Sequence, residues 1–265
     1  MTQHFIRVGG AAPPAASRHS ARASLRTPSR GDPPRTSYPP SLDPPAKPLL
    51  RKLWRKVFQV RLALLDRSKY ERVVLEDVAG LPIVVLPDVF NPKLLRSGEF
   101  LAQQLGSLPR GCRVLDLGSG SGAAGVLAAK GGAHVVAVDI NPAAVRCTRI
   151  NGLLNDVALD VRLGDLFEPV RGERFDVVLF NPPYYRGEPR DGLDHAWRSP
   201  DVIERFSLQL ADHLTPSGHA LLVLSSDGEQ SAFLQALAAN GCTYRAISER
   251  DFGNEQMTVY WIQTC

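Results

Sequence analysis

The tetrapeptide Asn181-Pro182-Pro183-Tyr184 combines residue types that suit the binding of a flat amino group. Its two consecutive prolines fix two φ angles and remove two backbone donors, which leaves a stiff chain with free carbonyls. Asn181 supplies a side-chain carbonyl as acceptor, and Tyr184 supplies a flat face for stacking. A planar NH2 group fits these residues. Its two hydrogens can bond to the carbonyls of Asn181 and Pro182, and the ring of Tyr184 can stack on its flat face.

Positioning is the chemistry that such a clamp would supply. Nitrogens conjugated to a carbonyl or a ring are poor nucleophiles. Holding such a nitrogen in line with an electrophilic methyl group can lower the activation barrier by roughly 7–11 kcal/mol. An isolated Asn-Pro-Pro is more often a strand end closed by a turn. Here the tetrapeptide follows an apolar run, residues 175–180, and lies downstream of a glycine-rich loop. That context favours a functional role.

The glycine-rich loop, residues 116–122, also follows an apolar run. Its glycines permit a tight turn and close approach of the backbone to a ligand. Asp139 ends the next predicted strand, 21 residues after Gly118, and in dinucleotide sites this spacing places a carboxylate on ribose hydroxyls. Asp165 follows the third predicted strand, where it can accept from an adenine amino group. Parallel sheets bind ligands at these strand ends.

The same glycines also fit a dehydrogenase, because Gly118-x-Gly120-x-x-Ala123 satisfies the loose fingerprint of an NAD site. Asp116 lies two residues before the first glycine, where a carboxylate suits an amino-acid ammonium or water better than a pyrophosphate. The Asn181 tetrapeptide favours the methyl-transfer interpretation, since a dehydrogenase has no evident use for it.

The elements that must position these residues alternate between strand-like and helix-like segments from residue 112 onward. Such alternation predicts a Rossmann-like α/β fold with a mostly parallel sheet of seven strands, and the last two strands predict an antiparallel C-terminal edge. The predicted strands are 113–117, 133–139, 159–163, 175–180, 219–225, 243–249 and 256–263, and the predicted helices are 122–130, 142–154 with Asn141 as N-cap, 200–214 and 229–240.

Upstream of this domain, 109–265, the sequence predicts a smaller region, 49–108. It contains an amphipathic basic helix over 49–70, a β-hairpin from runs 71–78 and 81–86, and a helix over 92–105 capped by Asn91. Residues 1–48 are rich in Pro and Arg and hold few large apolar residues, which predicts disorder.

Charge is distributed unevenly along the 265 residues, whose net charge is +4. Residues 1–72 carry 15 basic and 4 acidic residues, whereas residues 73–265 carry 16 and 23. The predicted catalytic part is therefore acidic, which disfavours a nucleic-acid channel there, while the basic N-terminal third permits an arm that meets nucleic acid or an acidic partner.

Other features of the composition exclude several classes of protein. The four cysteines form no C-x-x-C pair, so neither a metal site nor a disulfide framework is predicted, and a reducing compartment such as the cytoplasm is favoured. The longest apolar runs fall short of the roughly 20 residues of a membrane span. The first 31 residues lack acids and are Arg/Ser-rich, so a mitochondrial or plastid transit peptide is an alternative.

These motifs together resemble the class I S-adenosylmethionine-dependent methyltransferases. Within them the chain is most similar to the HemK/PrmC group, which methylates a glutamine amide in peptide-chain release factors. The resemblance covers the chain from about residue 74 to its end and includes the hairpin around Gly80-Leu81-Pro82. Two features depart from that group: only one convincing helix precedes the hairpin, and residues 185–197 match weakly.

The resemblance implies a role for each matching residue. For the acceptor, Asn181 and Pro182 would orient the nitrogen, and Tyr184 would pack on it. The residues that would bind S-adenosyl-L-methionine are Asp116, Gly118 and Gly120 for the methionine part, Gly122 in the same loop, Asp139 for ribose, Asp165 and Leu166 for adenine, and Asn181.

The acceptor and the partner remain open between alternatives. A protein glutamine amide, as in a release factor, is the leading prediction for the methyl acceptor. An adenine or guanine amino group of rRNA or DNA is the alternative, and a non-catalytic module that binds S-adenosylmethionine or NAD is a third. Neither a membrane nor a metal is expected as a partner.

Overall fold

A computed structural model describes residues 72–93, 96–106, 108–189 and 196–264. The predicted disordered segment 1–48 and the predicted helix 49–70 lie outside these residues. The described chain begins with an antiparallel hairpin, β1 (Val74–Val78) and β2 (Leu81–Val85). Gly80 adopts φ +82°, a left-handed conformation that the tight turn between these strands requires.

The main sheet is formed by seven strands: β3 (Arg113–Leu117), β4 (His134–Asp139), β5 (Leu159–Leu163), β6 (Phe175–Phe180), β9 (Leu214–Ser225), β10 (Cys242–Asp251) and β11 (Gln256–Thr264). They lie in the order β10-β11-β9-β6-β3-β4-β5. Strands β3, β4, β5, β6 and β9 pair in parallel, and β11 pairs antiparallel with both β9 and β10. This is the predicted fold, including its antiparallel edge.

Helices follow the parallel strands and cover both faces of the sheet. Central strands such as β3 and β6 are buried on both sides, as their continuous apolar sequences predict. The helices are α1 (Ser97–Ala102), α2 (Ala123–Lys130), α3 (Pro142–Leu154), α4 (Val202–Gln209) and α5 (Gln230–Ala239), and a two-stranded ribbon pairs β7 (Tyr185–Arg186) with β8 (Arg198–Ser199).

Two predicted helices differ from the structure. The helix expected over 92–105 is the shorter α1, which begins only at Ser97. Asn91 makes the hydrogen bond of an N-cap, since its Oδ1 accepts from the Lys93 N–H at 3.0 Å, but Pro92 and Lys93 form a turn and α1 starts only at Ser97. Pro92 instead packs so closely on Gly98 that a Cβ there would lie 2.8 Å from the proline Cβ. The helix expected over 200–214 ends at Gln209 and continues as a 3₁₀ turn, Leu210–His213.

The cap predicted for α3 is confirmed. Asn141 has extended backbone angles, and its Oδ1 accepts from the Ala143 N–H at 2.9 Å, with Pro142 at the first helical position. The helix buries a polar face that includes Thr148 and Asn151, both without solvent exposure. Buried polar groups need partners, and those of α3 lie in the site described next.

Candidate active site

A cavity of ≈ 370 Å³ opens at the carboxyl ends of β3, β4, β5 and β6. Four chain segments that the sequence singles out meet in its wall: the loop 118–121, residues 139–140, residues 164–166, and Asn181 with Pro183. The structure thus brings the glycine loop and the first residue of the tetrapeptide to one cavity, as expected for the ends of parallel strands.

The glycine loop depends on conformations that only glycine adopts easily. Gly118, Gly120 and Gly122 have φ values of +65°, +55° and +78°. A Cβ on Gly122 would lie 2.7 Å from the Thr148 side chain, so this glycine is also needed for close packing on α3. The predicted backbone approach is therefore built into the loop.

Helix α3 holds the loop from behind through two residues that sequence reasoning missed. Thr148 Oγ1 donates to the Gly120 carbonyl at 3.2 Å and lies 3.1 Å from Ser119 Oγ. Asn151 Nδ2 donates to the Ser121 carbonyl at 2.8 Å. The signal available in the sequence was weak: two polar residues three positions apart on the face of α3 that also carries Ala144 and Cys147.

Asn151 also joins the hairpin to this loop. It accepts from the Val84 N–H at 2.8 Å and donates to the Val84 carbonyl at 2.6 Å. Asn155, one turn later, donates to the Pro82 carbonyl at 2.9 Å. The hairpin is therefore fixed beside the glycine loop, and the segment that follows it contributes Phe90 to the cavity wall.

Asp139 and Asp116 place two buried carboxyl groups at the cavity wall. Asp139 accepts from the Gly120 N–H at 2.7 Å and from the Asn141 N–H at 2.8 Å. Asp116 accepts from the Gly125 N–H at 2.9 Å. Burial raises the pKa of Asp116 to about 7, and the charge of Asp139 acts in the same direction while the Gly125 N–H opposes it. A cation bound nearby would favour the ionised form.

The third strand end carries Asp165 and Leu166. Asp165 Oδ2 lies 2.7 Å from Arg205 Nη1, so its carboxylate is paired across the cavity wall with α4. Leu166 has φ +46°, which is uncommon for a residue with a side chain. Ile140 lines the same wall and is 42% exposed, an apolar surface on which a planar ring can pack. Sequence reasoning singled out neither Arg205 nor Ile140.

Hydrogen bonds to two other side chains hold the side-chain amide of Asn181 in place. Its Nδ2 donates to Ser97 Oγ at 3.1 Å, and its Oδ1 accepts from the Tyr184 hydroxyl at 3.3 Å. Burial raises the pKa of the Tyr184 phenol, so the hydroxyl stays protonated and able to donate. No motif pointed to Ser97, whose partner is 84 positions away.

The remaining residues of the tetrapeptide occupy different positions. Pro183 lines the cavity, whereas Pro182 and Tyr184 are buried behind its wall. The Tyr184 ring packs edge-on against the Trp197 ring, with ring centroids 6.4 Å apart. The Trp197 ring in turn packs on the Phe90 ring, with centroids 5.6 Å apart. Tyr184 therefore supports Asn181 in this structure, and its role as a stacking face for the acceptor stays a prediction.

Family comparison adds independent evidence. Residues 80–246 match the methyltransferase small domain family. The chain belongs to this family. The methyltransferase fold is confirmed and, with it, the predictions of a methyltransferase and of S-adenosyl-L-methionine as its cofactor.

Curated relatives of this methyltransferase act on both proteins and RNA by name. The release factor glutamine methyltransferase of Geobacter sulfurreducens is 30% identical over 56% of this chain and 57% of its own length. Human methyltransferase HEMK2 is 30% identical over 55% and 74%. The ribosomal RNA small subunit methyltransferase C of Chromohalobacter salexigens is 33% identical over 63% and 47%. The chain thus spans about half the length of several relatives.

A solved structure shares the fold of this methyltransferase and a modest sequence likeness. The T. thermophilus 16S rRNA N2 G1207 methyltransferase, in complex with AdoMet and guanosine, superposes with a TM-score of 0.58. It is 25% identical, with coverage of 73% of this chain and 50% of that chain. Among the residues described for this chain, no cluster of His, Cys, Asp and Glu could hold a metal ion.

Proposed function

We propose that this methyltransferase transfers a methyl group from S-adenosyl-L-methionine to a planar nitrogen, and that the acceptor is a protein glutamine amide of the release-factor type. One observation carries the proposal. Asn181 lies in the wall of the same cavity as the glycine loop, and both the nitrogen and the oxygen of its side-chain amide are hydrogen-bonded. A fixed amide beside a cofactor loop suits the orientation of an NH2 group.

The cavity wall fits the proposed cofactor chemically. Asp116 and the backbone of Gly118 and Gly120, which line the cavity, would hold the methionine part, where a buried carboxyl suits an ammonium group. Gly122 is not part of the lining and packs on Thr148, so it would support the loop. Asp139 would bind ribose hydroxyls through its carboxylate, which lies in the cavity wall. Asp165, Leu166 and Ile140 would surround adenine with one carboxylate and two apolar side chains.

The proposed mechanism rests on orientation by this chain's own residues. When bound, the cofactor supplies an electrophilic methyl group on a sulfonium sulfur. Asn181 Oδ1 and the Pro182 carbonyl would accept from the acceptor NH2, which raises electron density on its nitrogen. The acceptor nitrogen would gain the methyl group as the S–C bond of the donor breaks, which would leave a neutral thioether. The acceptor then loses its proton to water, so no strong base is required.

The charge of the cavity supports a protein acceptor over a nucleic acid. Acidic residues outnumber arginines in the described part of the wall, and a phosphate backbone would meet unfavourable charge there. The acidic residues are Asp88, Asp116, Asp139, Asp165, Glu188 and Asp201, and the arginines are Arg198 and Arg205. The basic N-terminal third and the rRNA-modifying relatives favour the alternative, a nucleobase amino group.

The proposal includes a reducing compartment, the cytoplasm. Cys112 and Cys147 are buried free thiols, and none of the helices described here is long and apolar enough to cross a membrane. A mitochondrial or plastid location is the alternative.

Labelled methyl transfer tests the proposed function. The purified full chain is incubated with tritiated S-adenosylmethionine and, separately, with recombinant release factor, ribosomal RNA and ribosomal protein. We expect label in release factor, on a glutamine identified by mass spectrometry. Label in RNA alone would replace the protein acceptor with a nucleobase, and cofactor binding without label would favour a non-catalytic module. A chain lacking residues 1–48 shows whether the basic segment selects the acceptor.

A further inference from the structure

A group of polar side chains near Asn181 is largely removed from solvent, although its one arginine keeps a side-chain exposure of 24%. It is formed by Arg96, Asn254, Glu255 and Ser225, and is called the Arg96 cluster below. Arg96 Nη2 donates to Asn254 Oδ1 at 2.6 Å and lies 3.6 Å from Glu255 Oε1. The guanidinium carbon also stands 4.5 Å from the centroid of the Phe252 ring. Arg96 is therefore fixed by the turn between β10 and β11, 158 positions away.

Glu255 is the buried carboxylate of this cluster, with an exposure of 8%. The Ser225 hydroxyl donates to its Oε2, and Asn254 Nδ2 donates to its Oε1 at 3.2 Å. Ser225 ends β9, the parallel neighbour of β6, which itself leads into Asn181. The cluster thus stands at the same edge of the sheet as the tetrapeptide.

Arg96 connects the cluster to Asn181 through the backbone. Its φ of +65° is left-handed, a conformation that a residue with a side chain keeps only when its surroundings impose it. The next residue, Ser97, begins α1 and accepts from Asn181 Nδ2 at 3.1 Å. The residue that holds the Asn181 amide therefore follows directly on the residue that the cluster holds.

A purely stabilising role explains this arrangement poorly. Removing an arginine and a carboxylate from water is costly, and apolar residues of similar volume often stabilise a fold as well or better. Buried ion pairs are better attested as devices that select one arrangement among several. The arrangement selected here is the one in which Ser97 meets the Asn181 amide.

We propose that Arg96 and Glu255 are positioning residues that hold Ser97, and through it the Asn181 amide, in the orientation used for the acceptor nitrogen. The inference rests on the proposed function of Asn181 for its catalytic consequence. Its structural part, that the pair orders the Asn181 side chain, stands independently. The two parts call for separate measurements.

The kinetic experiment compares full-length variants with a matched control. Arg96→Met removes the guanidinium at similar volume, Glu255→Gln removes the charge alone, and Arg96→Lys restores a cation. The control Arg162→Met also removes an ion-paired arginine, one that contacts Asp160 and Glu173 away from the cavity. With the acceptor fraction that the wild type labels, we measure kcat, KM, S-adenosylmethionine affinity and Tm.

We expect Arg96→Met and Glu255→Gln to lower kcat by roughly 10- to 100-fold, the range for removing the outer partners of an active group. Cofactor affinity should stay within about twofold, since the glycine loop has its own supports. Arg96→Lys should recover part of kcat, and Arg162→Met should retain it. Equal kcat in the folded Arg96→Met and wild-type chains would overturn the inference, as would equal losses of kcat and cofactor affinity.

A second readout needs no activity. The side-chain NH2 signals of Asn181, assigned by comparison with Asn181→Asp, are followed by NMR in the cofactor-free wild type and in Glu255→Gln, the mildest variant. We expect shifted signals and faster hydrogen exchange for Asn181 and unchanged signals for Asn151. Unchanged Asn181 signals would overturn the positioning role. A wild-type chain that labels no fraction would reject the proposed function, while this measurement would still decide the inference.

Discussion

The two halves of the cavity are held in different ways. On the cofactor side, Thr148, Asn151 and Asp139 bind backbone groups of the loop 119–121 directly. On the acceptor side, Asn181 is held by side chains, Ser97 and Tyr184. The contacts to backbone groups fix the path of the loop 119–121, whereas the contacts to the Asn181 side chain fix the orientation of its amide. We therefore expect changes on the first side to affect cofactor affinity and changes on the second to affect turnover.

The largest effect is expected on the acceptor side. Asn181→Ala should lower kcat by roughly 10²–10³-fold, as for the loss of one oriented polar group in a transition state. Cofactor affinity, measured by calorimetry, should change little because the loop supports remain. The exposed Asn240, which bonds only within its own helix end, provides the control Asn240→Ala. Wild-type turnover in Asn181→Ala would show that this residue has no role in the mechanism. The expected difference between the two halves of the cavity would then not hold.

Asp139→Ala tests the cofactor side. The substitution leaves the N–H groups of Gly120 and Asn141 without their carboxylate and removes the proposed ribose ligand. Because hydrogen bonds to charged groups contribute about 1.5–3 kcal/mol, we expect affinity for S-adenosylmethionine to fall by roughly 10- to 100-fold. At saturating cofactor, kcat should be much less affected. A loss confined to kcat would contradict the division of roles.

Asn151→Ala sharpens the comparison, because Asn151 anchors both the hairpin and the glycine loop. Leaving buried backbone groups of Val84 and Ser121 unpaired should lower the free energy of unfolding by about 1–3 kcal/mol. Chemical denaturation of the full chain measures the loss, and saturating cofactor should restore part of it. Asn240→Ala again serves as the control. An unchanged midpoint would show that the two anchors are dispensable.

The smallest effect concerns pH. Burial raises the pKa of Asp116 to about 7, so between about pH 4 and pH 7 the folded chain holds a proton that the unfolded chain releases. The free energy of unfolding should therefore fall as pH rises through this window. A cofactor ammonium favours the ionised carboxyl, so affinity should rise by up to about tenfold from pH 6 to pH 8. Asp116→Asn should flatten both profiles, and an unaltered affinity profile in this variant would exclude Asp116 as the ammonium ligand.

The same contrast explains what the sequence predicted. Gly118, Gly120 and Asp139 were identifiable because strand ends of a parallel sheet meet at one edge and because glycine has a local conformational signature. Asn181 was identifiable from its neighbouring prolines. The alternation of strands and helices predicted the sheet and its antiparallel edge for similar local reasons.

The partners of these residues could not be predicted in the same way. Ser97 contacts Asn181, and Arg205 contacts Asp165, through the tertiary fold, at separations of 84 and 40 positions. The helix predicted over 92–105 is present only from Ser97 to Ala102, and its predicted start was wrong because Arg96 takes a left-handed conformation that its own sequence does not favour. Contacts with Asn254 and Glu255, far along the chain, hold it there.

The reversed direction of β11 has a practical consequence. Its register pairs Met257 with Ser225 and Ile262 with Ala220, so its first residues stand level with the last residues of β9. Because β11 runs antiparallel to β9, its first residues lie at the edge of the sheet where β9 ends. This direction places Glu255 near Asn181. The strand then runs away from the cavity toward Thr264, which pairs with Cys242 at the far rim. An affinity tag joined behind Thr264 would consequently be anchored on the side of the sheet remote from both substrates.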